Sequence, residues 1–119
     1  MSVQVSRKGS EIVVVVSQTS VGAATEVEIP LGIARGRILR HKSYRTGGSG
    51  ATVNPIIGLA TNPAGFNIVL EEDAASFIDN SYAGGGITFS STGSLFMRSR
   101  PDAGSDNAIT TVLHISVGW

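Results

Sequence analysis

The chain of 119 residues contains no cysteine. Disulfide frameworks, thiolate metal sites and cysteine nucleophiles are therefore excluded. Charge is scarce as well: 15% of residues are charged, against roughly 25% in ordinary soluble domains. Nine basic and nine acidic residues cancel to a formal net charge of zero. A neutral domain lacks the self-repulsion that keeps monomers apart, which favours an assembling protein. The same balance argues against a general nucleic-acid binder, which is basic overall. The longest apolar run is IVVVV at residues 12–16, far short of the roughly 20 residues that span a bilayer. The opening MSVQVSRKGS has no apolar stretch behind its charges, so no secretory signal is read there and the expectation is a soluble protein made in a cytoplasm.

Aromatic residues are few: one Trp, two Tyr and four Phe. Phe66, Phe77, Phe89 and Phe96 fall in apolar patterns and are expected in the core. Only Tyr44, Tyr82 and Trp119 remain as candidates for an exposed platform, which keeps a carbohydrate-binding module as an alternative of a different class. Trp119, a bulky residue at the chain end, is expected to pack on a neighbouring strand or subunit.

What the chain does have is Val, Ile and Thr, which stiffen extended backbone, with 15 Gly to punctuate it. Val3 and Val5 alternate with polar residues. Residues 11–17, EIVVVVS, read as a strand buried on both faces or crossing a subunit contact. Val27 and Ile29 alternate with Glu26 and Glu28 before Pro30 stops the strand. Residues 33–44 read as one long strand with a bulge or bend at Gly36. Further strands are expected over 52–59, 66–70, 87–90, 94–98 and 108–117, each bounded by Gly, Pro, Asn or Ser turns. The window 71–80, EEDAASFIDN, is the one helix-like segment, and a short helix is expected from Glu71 to Ile78. The pattern predicts a single all-β domain over residues 1–119, an antiparallel β-sandwich or jelly roll of about eight strands.

No catalytic constellation is visible. No serine sits in a G-x-S-x-G elbow, and Glu71 and Glu72 would point to opposite faces of a strand. His41 and His114 are the only histidines, and zinc would need both together with carboxylates. The stretch 102–107, with Asp102, Asp106 and Asn107 around Gly104, offers oxygen donors for calcium but lacks the EF-hand pattern, and a hairpin loop with Asp and Asn bonding their own backbone is the favoured reading. The expectation is a protein with no enzymatic activity, no cofactor and no metal.

The sharpest feature is basic. Arg35, Arg37, Arg40, Lys42 and Arg45 are five of the nine cations, gathered within eleven positions. One reading is a contact with an acidic partner surface. The other is the solvated face of an edge strand, where cations discourage unwanted pairing. Aromatics are not interleaved with them, which weighs against single-stranded nucleic acid.

Residues 93–119, GSLFMRSRPDAGSDNAITTVLHISVGW, resemble the closing hairpin of small β-rich virion proteins of tailed bacteriophages. There a strand ending in Arg meets a P-D-x-G-S-D-N turn and an apolar-alternating last strand. Residues 26–41, EVEIPLGIARGRILRH, fit the same pattern. The resemblance is most of all to head decoration, or cement, proteins. It implies a structural virion protein that binds the major capsid protein or another virion protein, reinforces the head lattice, forms trimers and resides in the virion. A tail, spike or fibre component of the virion is the nearest alternative. The apolar run 12–16 independently suggests a homo-oligomer.

Overall fold

A computed structural model describes residues 2–21, 25–33, 35–48, 55–59, 68–71, 77–82, 84–90, 93–99 and 106–117. Among them ten strands are found and no helix. They are β1 (Ser2–Lys8), β2 (Glu11–Val21), β3 (Thr25–Pro30), β4 (Arg35–Gly48), β5 (Pro55–Gly58), β6 (Ile68–Glu71), β7 (Phe77–Ser81), β8 (Ile87–Ser90), β9 (Ser94–Ser99) and β10 (Asp106–Val117).

All pairings are antiparallel and form two sheets. The larger runs β1-β2-β10-β4-β7, with β8 also paired to β4, so that β7 and β8 lie end to end along one flank of β4. The smaller runs β3-β9-β5-β6. The chain is thus an antiparallel β-sandwich, as the strand pattern predicts.

The core lies between the sheets. Alternation with period two sends Ile12, Val14 and Val16 of β2, Ile38 of β4, Phe89 of β8 and Leu113 and Ile115 of β10 inward from the large sheet. They meet Ile29 of β3, Ile57 of β5 and Leu95 and Met97 of β9. Burying one such side chain contributes roughly 1.5–3 kcal/mol. The run 12–16 is not buried on both faces: Val13 and Val15 point away from the core and are half-buried.

Polar side chains also lie inside. His41, Ser43 and Thr111 are fully buried and linked in a chain, His41 Nε2 to Ser43 Oγ at 2.7 Å and Ser43 Oγ to Thr111 Oγ1 at 2.7 Å. The Gln18 side-chain amide donates across the sandwich to the Met97 carbonyl at 3.4 Å. Burial of the three-residue chain is tolerable because its members bond one another, whereas Gln18 Oε1 is buried without a hydrogen-bond partner among the described residues.

Four expectations are corrected. The window 71–80 is not a helix at its ends, since Glu71 closes β6 and Phe77–Ser81 form β7; residues 72–76 lie outside the described residues. Pairing with β4 along the register Tyr44↔Phe77 to Arg40↔Ser81 overrides the local preference. Phe77 is not core but 57% exposed, because Ile78 takes the inward position and is 5% exposed. Phe96 is half-buried, since its neighbours Leu95 and Met97 take the inward positions of β9. Gly36 is not where β4 bulges; it is buried where the Phe89 ring packs on the backbone, and a Cβ there would lie 2.9 Å from Phe89 Cζ. Phe66, Trp119 and residues 102–105 fall outside the described residues, while Asp106 and Asn107 belong to β10.

Candidate docking face

Strand β4 is the centre of this face. It is 14 residues long and is bonded on one side to β10 and on the other to β7 and β8. Over residues 35–44 it is therefore an interior strand, which removes the edge-strand explanation for Arg35, Arg37, Arg40 and Lys42.

Which way each cation points is set by two irregularities in the β4–β10 ladder. Ile38 pairs with Ile115 and Arg40 with His114, leaving Leu39 as an extra residue; its carbonyl accepts a hydrogen bond from Tyr82 N at 3.0 Å. Arg45 pairs with Ile109 and Gly47 with Ala108, leaving Thr46 as the second. A bulge shifts the alternation by one residue. Arg35 and Arg37 therefore share the outer face with Arg40 and Lys42, while Ile38, His41 and Ser43 point inward. Arg45 does not join the other four. It stands opposite the buried Ile109 on the inner side, and its Nε is buried.

Each outer cation has its own surroundings. Arg40 grips Asp79 of β7 through two parallel bonds, Nε to Oδ1 at 2.9 Å and Nη2 to Oδ2 at 2.8 Å. The bonds from Arg40 hold the Asp79 carboxyl below the usual carboxylate range, and the bond to Asp79 raises the Arg40 guanidinium above its ordinary value. Lys42 Nζ sits 5.6 Å from the centre of the Tyr44 ring, within reach of a cation–π attraction. Arg37 is half-buried, with its guanidinium against Gly85 in the loop between β7 and β8. Arg35 is exposed.

Neighbouring strands complete the face. His114 of β10 is 3.0 Å from Glu11 of β2 through Nδ1. Beside them a shallow recess of about 290 Å³ is lined by Ser6, Lys8, Glu11 and Val13. The register then gives three rows across the sheet: Val13–His114–Arg40, Val15–Val112–Lys42 and Ser17–Thr110–Tyr44–Phe77. The register places Lys8, Arg35, Arg37, Arg40 and Lys42 on this face, with the carboxylates Glu11 and Asp79 among them. On the opposite surface Glu26 pairs with Arg98 at 2.7 Å and Glu28 accepts from Ser94 at 2.8 Å.

The two histidines stand on opposite faces of the large sheet and cannot converge on one ion. Among the described residues no three acidic or histidine side chains gather into a metal-binding group, and no helix is long and apolar enough to cross a membrane. Phe77 is one of the residues that the sequence pattern places wrongly. The signal that was available is its adjacency to Ile78: in a strand the two must face opposite ways.

No protein-family model matches the chain, and no curated protein matches it. Among solved structures it is similar to the periplasmic inhibitor of g-type lysozyme PliG of Aeromonas hydrophila, with a TM-score of 0.52 and 8% identity over 89% of this chain and 86% of that one. A CBM4 structure aligns with a TM-score of 0.42 and 8% identity over 98% of this chain and 78% of that one. At such identity the likeness to PliG is one of fold: both are β-rich chains of similar extent.

Proposed function

We propose that the chain is a non-catalytic structural subunit of a tailed-phage virion, a capsid decoration protein that docks on an acidic surface of the head through the outer face of its six-stranded sheet. The observation that carries the reading is the alignment of Arg35, Arg37, Arg40 and Lys42 on the uncovered side of a central strand. Four cations aligned on one face of a neutral molecule give a directed field, which steers association and fixes orientation. Val13, Val15 and Val112, half-buried in the middle of the same face, supply apolar area inside a charged rim, the usual anatomy of a protein interface. Arg suits such a contact better than Lys, since its planar fork pairs both oxygens of a carboxylate. The phage assignment rests on the resemblance of residues 93–119 and 26–41, and with it go a homotrimeric state and residence in the virion.

The test is co-sedimentation with heads of the phage that lack the protein. Arg35 and Arg37 are the residues to reverse to Glu, because reversing Arg40 would leave Asp79 facing a second carboxylate and confound charge with folding. Native protein should pellet with heads, less so as salt rises, and the double reversal should stay in the supernatant with its thermal transition preserved. Equal pelleting of the folded variant would remove the basic stripe from the contact. Light scattering decides the trimer: a monomer at high micromolar concentration would refute it.

A further inference from the structure

A second binding feature lies at the far end of the same face. Phe77 is a large apolar residue in a regular strand, yet 57% exposed. Its cross-strand partner is Tyr44, so two aromatic side chains stand side by side on an open sheet. Two residues further along β7, on the same face, is Asp79. It is fixed by the two-point bond from Arg40. The spacing from Phe77 to Asp79 is about 7 Å, two strand residues, roughly the width of one sugar ring.

We infer that Phe77, Tyr44, Asp79 and Arg40 form a binding site for a pyranose sugar. The Phe77 ring offers an apolar plane for a ligand that has an apolar face. Asp79 is gripped by Arg40 and stands directly across from Lys42, so its charge is already answered and the site does not select a cation. Asp79 and Arg40 nevertheless keep hydrogen-bonding capacity: each Asp79 oxygen has a further lone pair, and Arg40 uses only two of its five N–H groups on Asp79. A ligand that meets both groups must donate to a carboxylate and accept from a guanidinium at adjacent positions. Vicinal hydroxyls on a ring do this, and the C–H face of the same ring covers the aromatic plane. A planar aromatic ligand would cover Phe77 but leave the pair unanswered. A carboxylate or phosphate would meet Asp79 at close range. Because the guanidinium and carboxylate already hold each other in place, little side-chain freedom is lost when the ligand arrives. Lys42 lies over Tyr44, which leaves Phe77 as the principal platform and Tyr44 as its flank.

Arg40 belongs to both the head-docking face and the sugar site, but Arg35 and Arg37 lie toward the other end of β4 and take no part in this site, so their reversal separates the two. The experiment is a two-dimensional NMR titration of the native protein with glucose, galactose, mannose and N-acetylglucosamine in turn. At least one should move the resonances of Phe77, Tyr44 and Asp79 in a saturable way. Phe77→Ala and Asp79→Asn should each weaken that sugar about tenfold or more, with the thermal transition of Phe77→Ala unchanged. The Arg35 and Arg37 reversal should bind the sugar as the native protein does. If none of the four sugars moves these residues, or if Phe77→Ala binds as tightly as the native chain, the inference is overturned, whatever the outcome with phage heads.

Discussion

Replacing Ser43 by Ala should destabilise the fold out of proportion to the single oxygen removed. The Ser43 hydroxyl is the middle member of the buried chain from His41 to Thr111, and all three residues have no solvent exposure. A neutral hydrogen bond contributes about 1 kcal/mol net, and leaving a buried polar group without its partner costs about 1–3 kcal/mol. Ser43→Ala deprives both His41 Nε2 and Thr111 Oγ1 of a partner at once, so a loss of about 2–4 kcal/mol is expected. Thr111→Val keeps the shape of the side chain and the Ser43–His41 bond, and should cost only about 1–2 kcal/mol.

The double variant gives the sharper result. Once Ser43 is Ala, the Thr111 hydroxyl has lost that partner, and converting it to Val removes a stranded polar group. Ser43→Ala/Thr111→Val should therefore be no less stable than Ser43→Ala alone. Urea unfolding at constant slope measures all three. A loss of about 2–4 kcal/mol also lowers the melting temperature by roughly 8–20 °C for a domain of this size. Two results would refute the reasoning: a Ser43→Ala loss within about 0.5 kcal/mol, the range of ordinary surface changes, or single-variant losses that simply add in the double.

Gly86 has φ +94, and a Cβ there would sit 2.5 Å from the Ile38 carbonyl oxygen; Gly86→Ala should cost about 2 kcal/mol or more in thermal melts, and more than Gly84→Ala, where nothing lies within 4 Å. Asp79 should titrate below the ordinary Asp value of about 3.9 when its carboxyl is followed by carbon NMR, and Arg40→Gln should bring it back up. A lowered folded-state pKa means that the pair's contribution is present above the unfolded value and lost as pH falls through the folded one; because the pair is solvent-exposed, acid unfolding should shift only slightly in Arg40→Gln. Phe89→Ala should cost about 3–5 kcal/mol, whereas Phe77→Ala should stay within about 0.5 kcal/mol, a contrast that chemical denaturation reads directly.

Much of the fold is legible because a strand with one buried face writes that face into every second residue. Ile12, Val14 and Val16, Val27 and Ile29, Leu95 and Met97, and Leu113 and Ile115 all obey the rule. β7 is missed because FIDNS has only two apolar residues and they are adjacent, so no alternation shows, and the acidic residues before it imitate a helix start. Pairing with β4 decides its state, and pairing is not a local property. Sheet order is illegible for the same reason. Five cations in one strand read equally well as an edge or as a centre until the partners on both sides are known. The spacing of the cations does carry the bulge in outline. Arg35 and Arg37 fall on odd positions, Arg40 and Lys42 on even ones, and only an extra residue between the two pairs can bring all four to one side. Arg45, odd again, lands on the inner side because the second extra residue, Thr46, comes after it.

That bulge ties the interior to the surface. If β4 ran without Leu39 as an extra residue, every position beyond it would change sides. Arg40 and Lys42 would then face the core on the side of Ile57 and Met97 of the small sheet, where the described core residues include no carboxylate to receive them, and His41 and Ser43 would face water. Burying two cations without partners costs far more than the apolar packing of that register could offset. The observed register is thus selected by the core, since it alone lets Ser43 reach Thr111 and Arg40 reach Asp79. The alignment of four cations on the outer face follows from that choice. The face that we assign to docking and sugar binding is in this sense held by buried residues that touch neither ligand, and damage to the His41–Ser43–Thr111 chain should be felt on the opposite side of the sheet.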